Sequence, residues 1–423
     1  MQTIIFPSNT KGHIKAIASK SVAHRLLICA AFADKSSIIE CAETNDDIDA
    51  TINCLSALGA TITKKDCFYK IEPIKSAVQK ATLPCSESGS TLRFLLPICA
   101  SLGGEFTFDM QGRLKNRPLS PLKELLEENG IVFSNPSESQ LTIKGKLSLD
   151  TFEIAGNVSS QFITGLLLAL TIQGKGALLK VTKTLESAPY IDITLDALSQ
   201  FNVTIEKNNN IFSIPQGTKL IAPNTVKVEG DWSNAAFPLA LGIIGKHPIL
   251  VTNLSANSKQ GDKEIVNILR RFGGTVRECD GGFITEPSSL RGIEVDASQI
   301  PDLVPIIATV ATIAKGQTVI YNASRLRLKE SDRLLSISTV LSTLGADIKE
   351  TDDGLIINGK ESLLGGCVSS FNDHRIAMSV SIASVVCKNS VTVENSESTQ
   401  KSYPSFWNDM QSLGLNFEHK SMR

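Results

Sequence analysis

The sequence repeats itself six times, and this repeat restricts the possible folds more than any other feature. Each copy reads as the end of an amphipathic helix, a breaking residue, and a short run rich in β-branched side chains. The breaking residues lie about 70 residues apart and are Gly59, Gly130, Asn202, Gly273, Gly345 and Gly414. Glycine adopts a left-handed backbone freely and asparagine is its usual substitute, so the pattern predicts six helices that each end in a left-handed residue.

A second series of six positions runs in phase with the first. Small polar or acidic residues precede helices that are almost wholly apolar, as in SVAHRLLICAAFA and SQFITGLLLALTI; they are Ser21, Ser90, Ser160, Ser233, Asp302 and Asp373. Serine and aspartate are good helix N-caps. A helix that is apolar on all sides belongs inside a domain. The series therefore predicts one buried helix in each copy, opened by a capping residue.

The period also indicates how the copies are grouped. A β-like run separates the two helices of each copy, as in GEFTFDMQG and SVTVENSE. A period of about 70 residues is longer than those of solenoids and propellers, whereas three such copies make one domain of ordinary size. We therefore expect a mixed α/β (α+β) protein of two domains with three copies each, packed around the buried helices. The expected domains are 19–229, and 1–18 with 230–423, and the chain crosses at the GDW turn of Gly230–Trp232.

Composition excludes several classes of protein. The chain of 423 residues has 42 Lys and Arg against 43 Asp and Glu, so its net charge of −1 gives no field that would attract nucleic acid or an anionic membrane. Its apolar runs are too short to span a bilayer, and the N-terminal segment MQTIIFPSNTKGHIK has no apolar core long enough for a signal peptide. The nine cysteines have no metal-ligand spacing and indicate reduced thiols. We expect a cytoplasmic monomer that binds small molecules, with no metal, cofactor, nucleic acid or membrane.

Residues that are energetically costly to bury, mostly charged and polar ones, gather at two positions of the repeat. The start of the buried helix carries Lys20, Ser21 and Arg25; Gly89, Ser90 and Arg93; Ser159, Ser160 and Gln161; Asp302; and Asp373, His374 and Arg375. The turn before the amphipathic helix carries Arg113, Lys115 and Arg117; Ser187 and Tyr190; Arg325, Arg327, Lys329, Glu330 and Arg333; and Lys401. Each motif alone is more often a simple helix cap or a solvated helix face. Helix N-termini bind anions, so cations that recur in phase there predict a site for strongly anionic small molecules.

Eight motifs resemble, in order and spacing, those of the 5-enolpyruvylshikimate-3-phosphate (EPSP) synthase family. They are SKSVAHR, ESGSTLRF, NRPLSPL, SSQFITGLLLAL, SAPYIDITL, RLRLKESDRL, NDHRIAM and STQKSYPSF, and the similarity runs from about Ile5 to Trp407. The resemblance implies two domains of three βαβαββ units each, with an active-site cleft between them. It also implies transfer of the enolpyruvyl group of phosphoenolpyruvate (PEP) to the 5-hydroxyl of shikimate 3-phosphate, with release of phosphate. This is a step of the shikimate pathway, which leads to chorismate and the aromatic amino acids, and the target of glyphosate.

The resemblance further implies roles for individual residues. The implied catalytic residues are Asp302 as the base, Glu330 in proton transfer at the PEP methylene, and Lys20 between both substrates. The implied ligands of shikimate 3-phosphate are Lys20, Ser21, Arg25, Ser159, Ser160, Gln161, Ser187, Tyr190, Asp302 and Lys329. The implied ligands of PEP are Lys20, Gly89, Arg117, Gln161, Arg333, Arg375 and Lys401. Shikimate 3-phosphate is thereby assigned mainly to the domain 19–229, and much of the PEP site to the other domain.

Three residues depart from the common bacterial pattern, and two other functions stay open. Glu87, Ser90 and Arg325 stand where Asn, Thr and Asn are common, which affects local substrate contacts and inhibitor sensitivity. The first alternative is transfer of enolpyruvyl to UDP-N-acetylglucosamine, which usually relies on a loop cysteine; the corresponding stretch, MQGRLKNRP, has none. The second is a non-catalytic anion-binding protein, which would need the cations but not Asp302 together with Glu330.

Overall fold

The computed structural model describes residues 1–76, 78–148 and 150–421, in which the chain forms alternating strands and helices. The strands are β1 (Gln2–Ile5), β2 (Gly12–Lys15), β3 (Ser37–Glu40), β4 (Thr61–Lys65), β5 (Phe68–Glu72), β6 (Lys80–Ser86), β7 (Gly104–Met110), β8 (Val132–Ser137), β9 (Gln140–Gly145), β10 (Thr151–Ala155), β11 (Lys175–Thr182), β12 (Glu206–Asn208), β13 (Ile211–Gln216), β14 (Thr225–Lys227), β15 (Ile249–Thr252), β16 (Thr275–Cys279), β17 (Gly282–Glu286), β18 (Glu294–Asp296), β19 (Gln317–Tyr321), β20 (Asp347–Glu350), β21 (Leu355–Asn358), β22 (Gly366–Ser369), β23 (Val391–Glu394) and β24 (Phe417–Lys420).

The α-helices are α1 (Lys20–Ala31), α2 (Asp46–Ala57), α3 (Gly89–Leu102), α4 (Leu122–Glu128), α5 (Ser160–Gln173), α6 (Ala188–Gln200), α7 (Trp232–Ile244), α8 (Ile265–Arg271), α9 (Val304–Ala311), α10 (Arg333–Thr343), α11 (His374–Ala383) and α12 (Phe406–Ser412). Short 3-10 turns join some of them. Within the described ranges, every helix is too short or too polar to cross a membrane.

The chain divides into two compact units, each with its own hydrophobic core. The central unit is Ala18–Val228, and the terminal unit is Met1–Ile17 with Glu229–Arg423. Helices α1, α3 and α5 fill the core of the central unit. Helices α7, α9 and α11 fill the core of the terminal unit, where all thirteen residues of α7 are buried. The prediction of almost wholly apolar, buried helices is confirmed.

Each unit contains three four-stranded sheets built on one plan. The sheet orders are β14-β3-β5-β4, β6-β7-β9-β8 and β10-β11-β13-β12 in the central unit, and β16-β17-β15-β2, β18-β19-β21-β20 and β22-β23-β1-β24 in the terminal unit. In each sheet one edge strand pairs in parallel with its neighbour, and the two remaining strands pair antiparallel, as β6, β7, β9 and β8 do. The predicted mixed α/β repeat, with a strand between the two helices of each copy, is confirmed.

Three strands join sheets whose other strands are distant in sequence. Strand β1 pairs antiparallel with β23 and β24, in the last sheet of the terminal unit. Strand β2 pairs in parallel with β15, which places the start of the chain in the terminal unit. Strand β14 pairs in parallel with β3 and completes the first sheet of the central unit. Each unit therefore holds three complete copies although the chain passes between the units.

The six predicted helix ends are confirmed. The breaking residues all have positive φ, from 59° at Asn202 to 106° at Gly59. At each of them the next backbone N–H reaches back to the last helical turn, as Ala60 N does to Leu55 O at 3.0 Å. This hydrogen bond satisfies a carbonyl that the helix end would otherwise leave without a partner.

The predicted helix starts are wrong at five of the six positions. Only Asp373 caps its helix as predicted, by accepting from Arg375 N. Ser21, Ser90, Ser160 and Ser233 lie inside the first turn, and the N-caps are Ser19, Ser88, Ser159 and Asp231, one or two residues earlier. Asp302 lies in a 3-10 turn, Pro301–Leu303, and α9 begins after it. The apolar pattern shows where a helix is buried, but it does not fix the residue at which the backbone turns into it.

Candidate active site

In the central unit, Lys20 is the first residue of α1 and forms an ion pair with Asp47. Lys20 Nζ lies 2.7 Å from Asp47 Oδ2, and both side chains are mostly buried. Asp47 lies in the first turn of α2. No motif distinguishes Asp47 in the sequence, because acidic side chains are common in the first turn of any helix.

Arg25 is buried one turn further along α1 and is held by neutral acceptors. Its Nε donates to Thr194 Oγ1 at 2.8 Å, and its Nη2 donates to Tyr190 O at 2.9 Å and to Thr164 Oγ1 at 3.2 Å. Its Nη1 donates to Ser21 O. Burial lowers the pKa of Arg25 to about 9, so the guanidinium keeps its positive charge at neutral pH. Ser21, Arg25 and Tyr190, three of the predicted ligands, are thus in contact.

Two arginines converge on the start of α3. A Cβ added to Gly89 would lie 2.5 Å from Arg117 Nη1 and 3.3 Å from Arg93 Nη1, so both guanidinium groups lie directly over this glycine. Arg93 Nη1 donates to Gln161 Oε1 at 2.7 Å, and Gln161 Nε2 donates to Ser90 Oγ at 2.9 Å. A helix N-terminus covered by cations is suited to bind a phosphate or a carboxylate.

The remaining predicted residues of the central unit lie at helix starts. Ser159 caps α5 by accepting from Gln161 N at 3.3 Å, and Ser160 follows as the first helical residue. Ser187 has a left-handed backbone, with φ of 54°, and directly precedes α6. Tyr190 lies in the first turn of α6.

In the terminal unit, one buried arginine gathers three carboxylates. Arg333 is 1% exposed; its Nη1 lies 2.7 Å from Asp302 Oδ1, its Nη2 lies 2.8 Å from Glu330 Oε2, and its Nε lies 2.8 Å from Asp373 Oδ2. Lys329 Nζ lies 3.3 Å from the same oxygen of Asp302. We call these five side chains the carboxylate cluster.

The charges of the carboxylate cluster stabilise one another. Burial alone would lower the pKa of Arg333, but Asp373, Glu330 and Asp302 raise it above its ordinary value. Burial alone would raise the pKa of Asp373, but Arg333 and His374 hold it below its usual range. Asp302 therefore takes part in an ionic network and caps no helix, which corrects the role that the sequence predicted for it.

Arg375 and Lys401 complete the predicted residues of the terminal unit. Arg375 Nη2 donates to Ser233 Oγ at 2.7 Å and lies 3.6 Å from Asp302 Oδ2. Lys401 ends a 3-10 turn, Ser396–Lys401, that packs against α11. Arg375 thus lies beside the carboxylate cluster, and Lys401 lies on an element next to the helix that carries Arg375.

The three departures from the family pattern are also placed. Ser90 accepts the hydrogen bond from Gln161. Glu87 lies against Gly112, in the loop that follows β7. Arg325 Nη2 donates to Ser298 O at 2.8 Å. Ser90 is therefore in direct contact with a predicted ligand of both substrates.

Several residues of the two sites were not predicted as site residues. Arg93 and Asp373 lie in the motifs ESGSTLRF and NDHRIAM, at the start of a buried helix, so the sequence does mark their positions. The sequence indicates Ser233 only as a helix start, and no motif distinguishes Asp47. Among the residues that the structure describes, no group of three or more His, Cys, Asp and Glu side chains is arranged to hold a metal ion.

Comparison with known proteins supports the resemblance over the full length of the chain. The family model of EPSP synthase (3-phosphoshikimate 1-carboxyvinyltransferase) matches residues 6–410. Two relatives named 3-phosphoshikimate 1-carboxyvinyltransferase are similar throughout. The one from Clostridium acetobutylicum is 44% identical over 416 residues, which cover 97% of this chain and 96% of the relative. The one from Clostridium perfringens is 43% identical over 417 residues, which cover 98% of each.

Solved structures agree with this comparison. EPSP synthase from Acinetobacter baumannii superimposes with a TM-score of 0.81 at 25% identity and covers 99% of both chains. An enolpyruvyl transferase from Streptomyces tendae superimposes with a TM-score of 0.79 at 16% identity, over 100% of this chain and 99% of the other, and shares the fold. From its sequence motifs, its fold and its relatives, we conclude that the chain belongs to the EPSP synthase family, the 3-phosphoshikimate 1-carboxyvinyltransferases.

Proposed function

We propose that this chain transfers the enolpyruvyl group of PEP to the 5-hydroxyl of shikimate 3-phosphate and releases inorganic phosphate. The observation that carries this proposal is the carboxylate cluster. It brings Asp302 and Glu330 to the same buried arginine, at 2.7 and 2.8 Å. The reaction needs one group that removes a proton from the hydroxyl and another that delivers a proton to the PEP methylene.

The central unit is proposed to bind shikimate 3-phosphate. Arg25, with Ser21 and Tyr190 in contact with it, would receive one anionic group of this substrate. Ser159, Ser160, Gln161 and Ser187 would supply further polar contacts around its phosphate. Arginine suits this work because its planar guanidinium donates two parallel hydrogen bonds to a carboxylate or a phosphate.

The residues proposed as ligands of PEP belong to each of the two units. At the start of α3, Gly89 leaves room for the Arg117 guanidinium close to the helix N-terminus. Lys20 and Gln161 lie on the same unit, and Arg333, Arg375 and Lys401 would contribute from the terminal unit. Such positively charged groups stabilise the negative charge of the reactants and hold the two substrates in position.

The two proton transfers are assigned to the carboxylate cluster. Asp302, oriented by Lys329 and Arg333, would remove the proton of the 5-hydroxyl while the hydroxyl oxygen bonds to C2 of PEP. Glu330, with Lys20 assisting, would deliver a proton to the methylene carbon. The product of this addition is a tetrahedral ketal phosphate; loss of a proton from the new methyl group then expels inorganic phosphate and regenerates the carbon–carbon double bond.

A phosphate-release assay with different acceptors tests the proposal. Purified protein is supplied with PEP together with shikimate 3-phosphate, with UDP-N-acetylglucosamine, or with no acceptor. Of the three mixtures, we expect only the one with PEP and shikimate 3-phosphate to release phosphate. Release with the nucleotide sugar would favour the other transferase activity, and no release with either acceptor would favour a binding protein.

We further propose that the chain acts as a monomer in the cytoplasm. Its balanced charge and free cysteines support the cytoplasmic location, since neither favours a membrane surface or an oxidising compartment. Light scattering behind a size-exclusion column should give the mass of one chain, 45.5 kDa. Twice that mass would contradict the monomer.

A further inference from the structure

A line of four polar side chains connects helices α1, α2 and α3 of the central unit, and the proposed mechanism gives it no role. His24 Nδ1 lies 2.7 Å from Thr51 Oγ1, and Thr51 Oγ1 lies 2.7 Å from Thr91 Oγ1. Thr91 Oγ1 in turn lies 2.7 Å from Ser88 Oγ. All four residues are fully buried. We call these four side chains the buried polar network.

The buried polar network lies in a core that is otherwise apolar. His24 packs edge-on against Phe94, with ring centroids 6.2 Å apart, and the surrounding core residues are mostly aliphatic. Replacing both partners of a buried hydrogen bond by apolar groups of the same shape costs little stability, so burial alone does not require these polar groups. Because hydrogen bonds are directional, they fix the spacing of the three helices more closely than apolar contacts do.

The direction of every hydrogen bond in the network follows from the proton of Thr91. Its hydroxyl donates to Ser88 Oγ at 2.7 Å, with Asp47 O as a more distant acceptor at 3.4 Å. A hydroxyl has one proton to donate, so Thr91 accepts from Thr51, and Thr51 accepts from His24. Burial lowers the pKa of His24 to about 3, so its ring is neutral at neutral pH. His24 therefore carries its single ring proton on Nδ1.

One end of the network fixes the first turn of α3. Ser88 is the N-cap of this helix, and its Oγ accepts from Thr91 N at 3.3 Å as well as from the Thr91 hydroxyl. The next residue is Gly89, over which the Arg117 guanidinium lies. The other N–H groups of a first turn have no partner within their helix, and they are suited to bind an anion. The network thus ends at the part of α3 to which PEP is assigned.

The other end of the network lies beside the ion pair of Lys20 and Asp47. His24 follows Lys20 by one turn of α1, and Thr51 follows Asp47 by one turn of α2. Residues four positions apart lie on the same face of a helix. The ion pair, at 2.7 Å, and the hydrogen bond between His24 and Thr51 therefore join the same two helices in consecutive turns.

We propose that the buried polar network is a positioning device for the capture of PEP, in which Thr51 and Thr91 hold the start of α3 at a fixed distance from Lys20. This inference rests on the proposed function, in which Lys20 and Gly89 are both ligands of PEP. One anion can bind at both places only while the two helix starts keep their spacing. The members of the network are positioning residues, and they touch no substrate.

Thr51→Val breaks the network at its centre. Valine has the shape of threonine but no hydroxyl, so the links from α2 to α1 and to α3 are both lost. We expect the KM for PEP to rise about tenfold, with kcat and the KM for shikimate 3-phosphate within about threefold of wild type. Thr51→Ser keeps the hydroxyl and should return the KM for PEP to within about threefold of wild type.

Thr107→Val is the matched control. Thr107 Oγ1 also forms a hydrogen bond with a second threonine, Thr142 Oγ1, at 2.8 Å. This bond joins strands β7 and β9 of the same unit and no helix start. The variant loses the same kind of contact, so its stability falls, but its KM for PEP should stay within about twofold of wild type.

Nitrogen NMR of isotope-labelled histidine tests the network in wild type, without a substitution that could prevent folding. The two ring nitrogens of a neutral histidine differ in chemical shift according to which of them carries the proton. His24→Asn identifies the signal of His24, because that signal is missing from the spectrum of the variant. We expect the proton of His24 on Nδ1 near neutral pH. A proton on Nε2 would contradict the direction of the hydrogen bonds and refute the network as described.

The kinetic outcomes separate this inference from the proposed function. If wild type releases no phosphate from PEP and shikimate 3-phosphate, the proposed function is wrong, whatever the NMR spectrum shows. If wild type is active but Thr51→Val has the same KM for PEP as Thr107→Val, the positioning role is refuted. A KM for PEP that stays raised in Thr51→Ser would also refute it, because the hydroxyl would then not be the group that matters.

Discussion

Arg25 of the central unit and Arg333 of the terminal unit are both buried helical residues, but they are held in opposite ways. Among the residues that the structure describes, Arg25 donates hydrogen bonds only to hydroxyl and carbonyl oxygens. Arg333 makes ion pairs with three carboxylates within 2.8 Å. Accordingly, burial lowers the pKa of Arg25 to about 9, whereas the surrounding carboxylates raise that of Arg333.

This difference indicates what each arginine contributes. A cation held by neutral acceptors keeps a charge that an anionic substrate can balance. A cation held by carboxylates is already balanced, so it orients those carboxylates and an arriving anion must compete with them. We therefore expect the central unit to supply attraction for shikimate 3-phosphate, and the terminal unit to supply an ordered set of acids and bases.

The largest effect is expected from removing Arg333. Arg333→Met would leave Asp373, which is fully buried, without its main counter-charge, and should lower the stability of the terminal unit by about 3–5 kcal/mol. Arg25→Met loses bonds to neutral groups only and should cost about 1–3 kcal/mol. Both tryptophans, Trp232 and Trp407, are buried in the terminal unit. Urea unfolding followed by tryptophan fluorescence therefore reports on that unit, and unfolding followed by circular dichroism, which senses the helices of both units, reports on the loss in Arg25→Met.

The pH dependence of the free energy of unfolding provides a control for the comparison of the two arginine variants. Because Arg333 and His374 hold the pKa of Asp373 low, this carboxylate stabilises wild type above the ordinary pKa of aspartate, about 4, and the stabilisation is lost as the pH falls through the lower value of the folded state. The deficit of Arg333→Met should hence shrink in acid. If both arginine variants lose the same free energy of unfolding at neutral pH, then the carboxylates around Arg333 do not increase its contribution to stability.

Asp302→Asn should reduce turnover at least about 100-fold, because asparagine cannot accept the proton of the 5-hydroxyl. Asparagine would replace a helix-capping aspartate at little cost in stability, because both residues cap well. Since Asp302 instead pairs with Arg333 and Lys329, we now expect a loss of about 1–3 kcal/mol in stability as well. The rate of phosphate release and the urea transition measure the two effects separately. Turnover near that of wild type would remove Asp302 from the chemistry.

Gly89→Ala addresses the central unit. The added Cβ would lie 2.5 Å from Arg117 Nη1, so the guanidinium must move. We expect about a tenfold rise in the KM for PEP and in the inhibition constant of glyphosate, with a smaller change in kcat. Gly130→Ala is the control, because an added Cβ there has nothing within 4 Å, although its positive φ will cost some stability. Equal inhibition constants for wild type and Gly89→Ala would contradict the assigned place of PEP.

The smallest effect is expected in the melting temperature of Asp262→Asn. Asp262 lies in the 3-10 turn Gly261–Glu264 of the terminal unit, and burial raises its pKa to about 6. Its contribution to stability is therefore complete below about pH 4 and is lost as the pH rises through about 6. Asparagine has no such loss, so the variant should melt at the wild-type temperature near pH 4 and about 1–2 °C higher at pH 8. Melting curves at a series of pH values check this. A difference in melting temperature between variant and wild type that grows as the pH falls would contradict this prediction.

The repeat and its periodicity were sufficient to predict the architecture. Six left-handed helix ends follow from residues whose backbone preference is local, and six buried helices follow from their apolar composition. The exact helix starts could not be predicted, because Ser, Asp and Gly occur at several adjacent positions and each can cap a helix. The structure shows one or two residues of difference at four of them.

The site was predictable only where a motif marked it. The arginines and Asp302 stand in motifs, but the pairing of Arg333 with Asp373 joins residues 40 positions apart. Asp47 and Asp262 lie in ordinary helix and turn contexts, and their neighbours come from other elements. Such contacts depend on tertiary packing, which leaves no trace in local sequence.

Calorimetric titration of shikimate 3-phosphate into wild type, Arg25→Gln and Arg375→Gln tests the contrast between the units most directly. We expect Arg25→Gln to weaken binding about 10–100-fold, because a charge-assisted pair with the substrate is lost. Arg375→Gln should leave the affinity for this substrate within about threefold of wild type and raise only the KM for PEP. Unchanged binding by Arg25→Gln, or an equal loss in both variants, would contradict the assignment of shikimate 3-phosphate to the central unit.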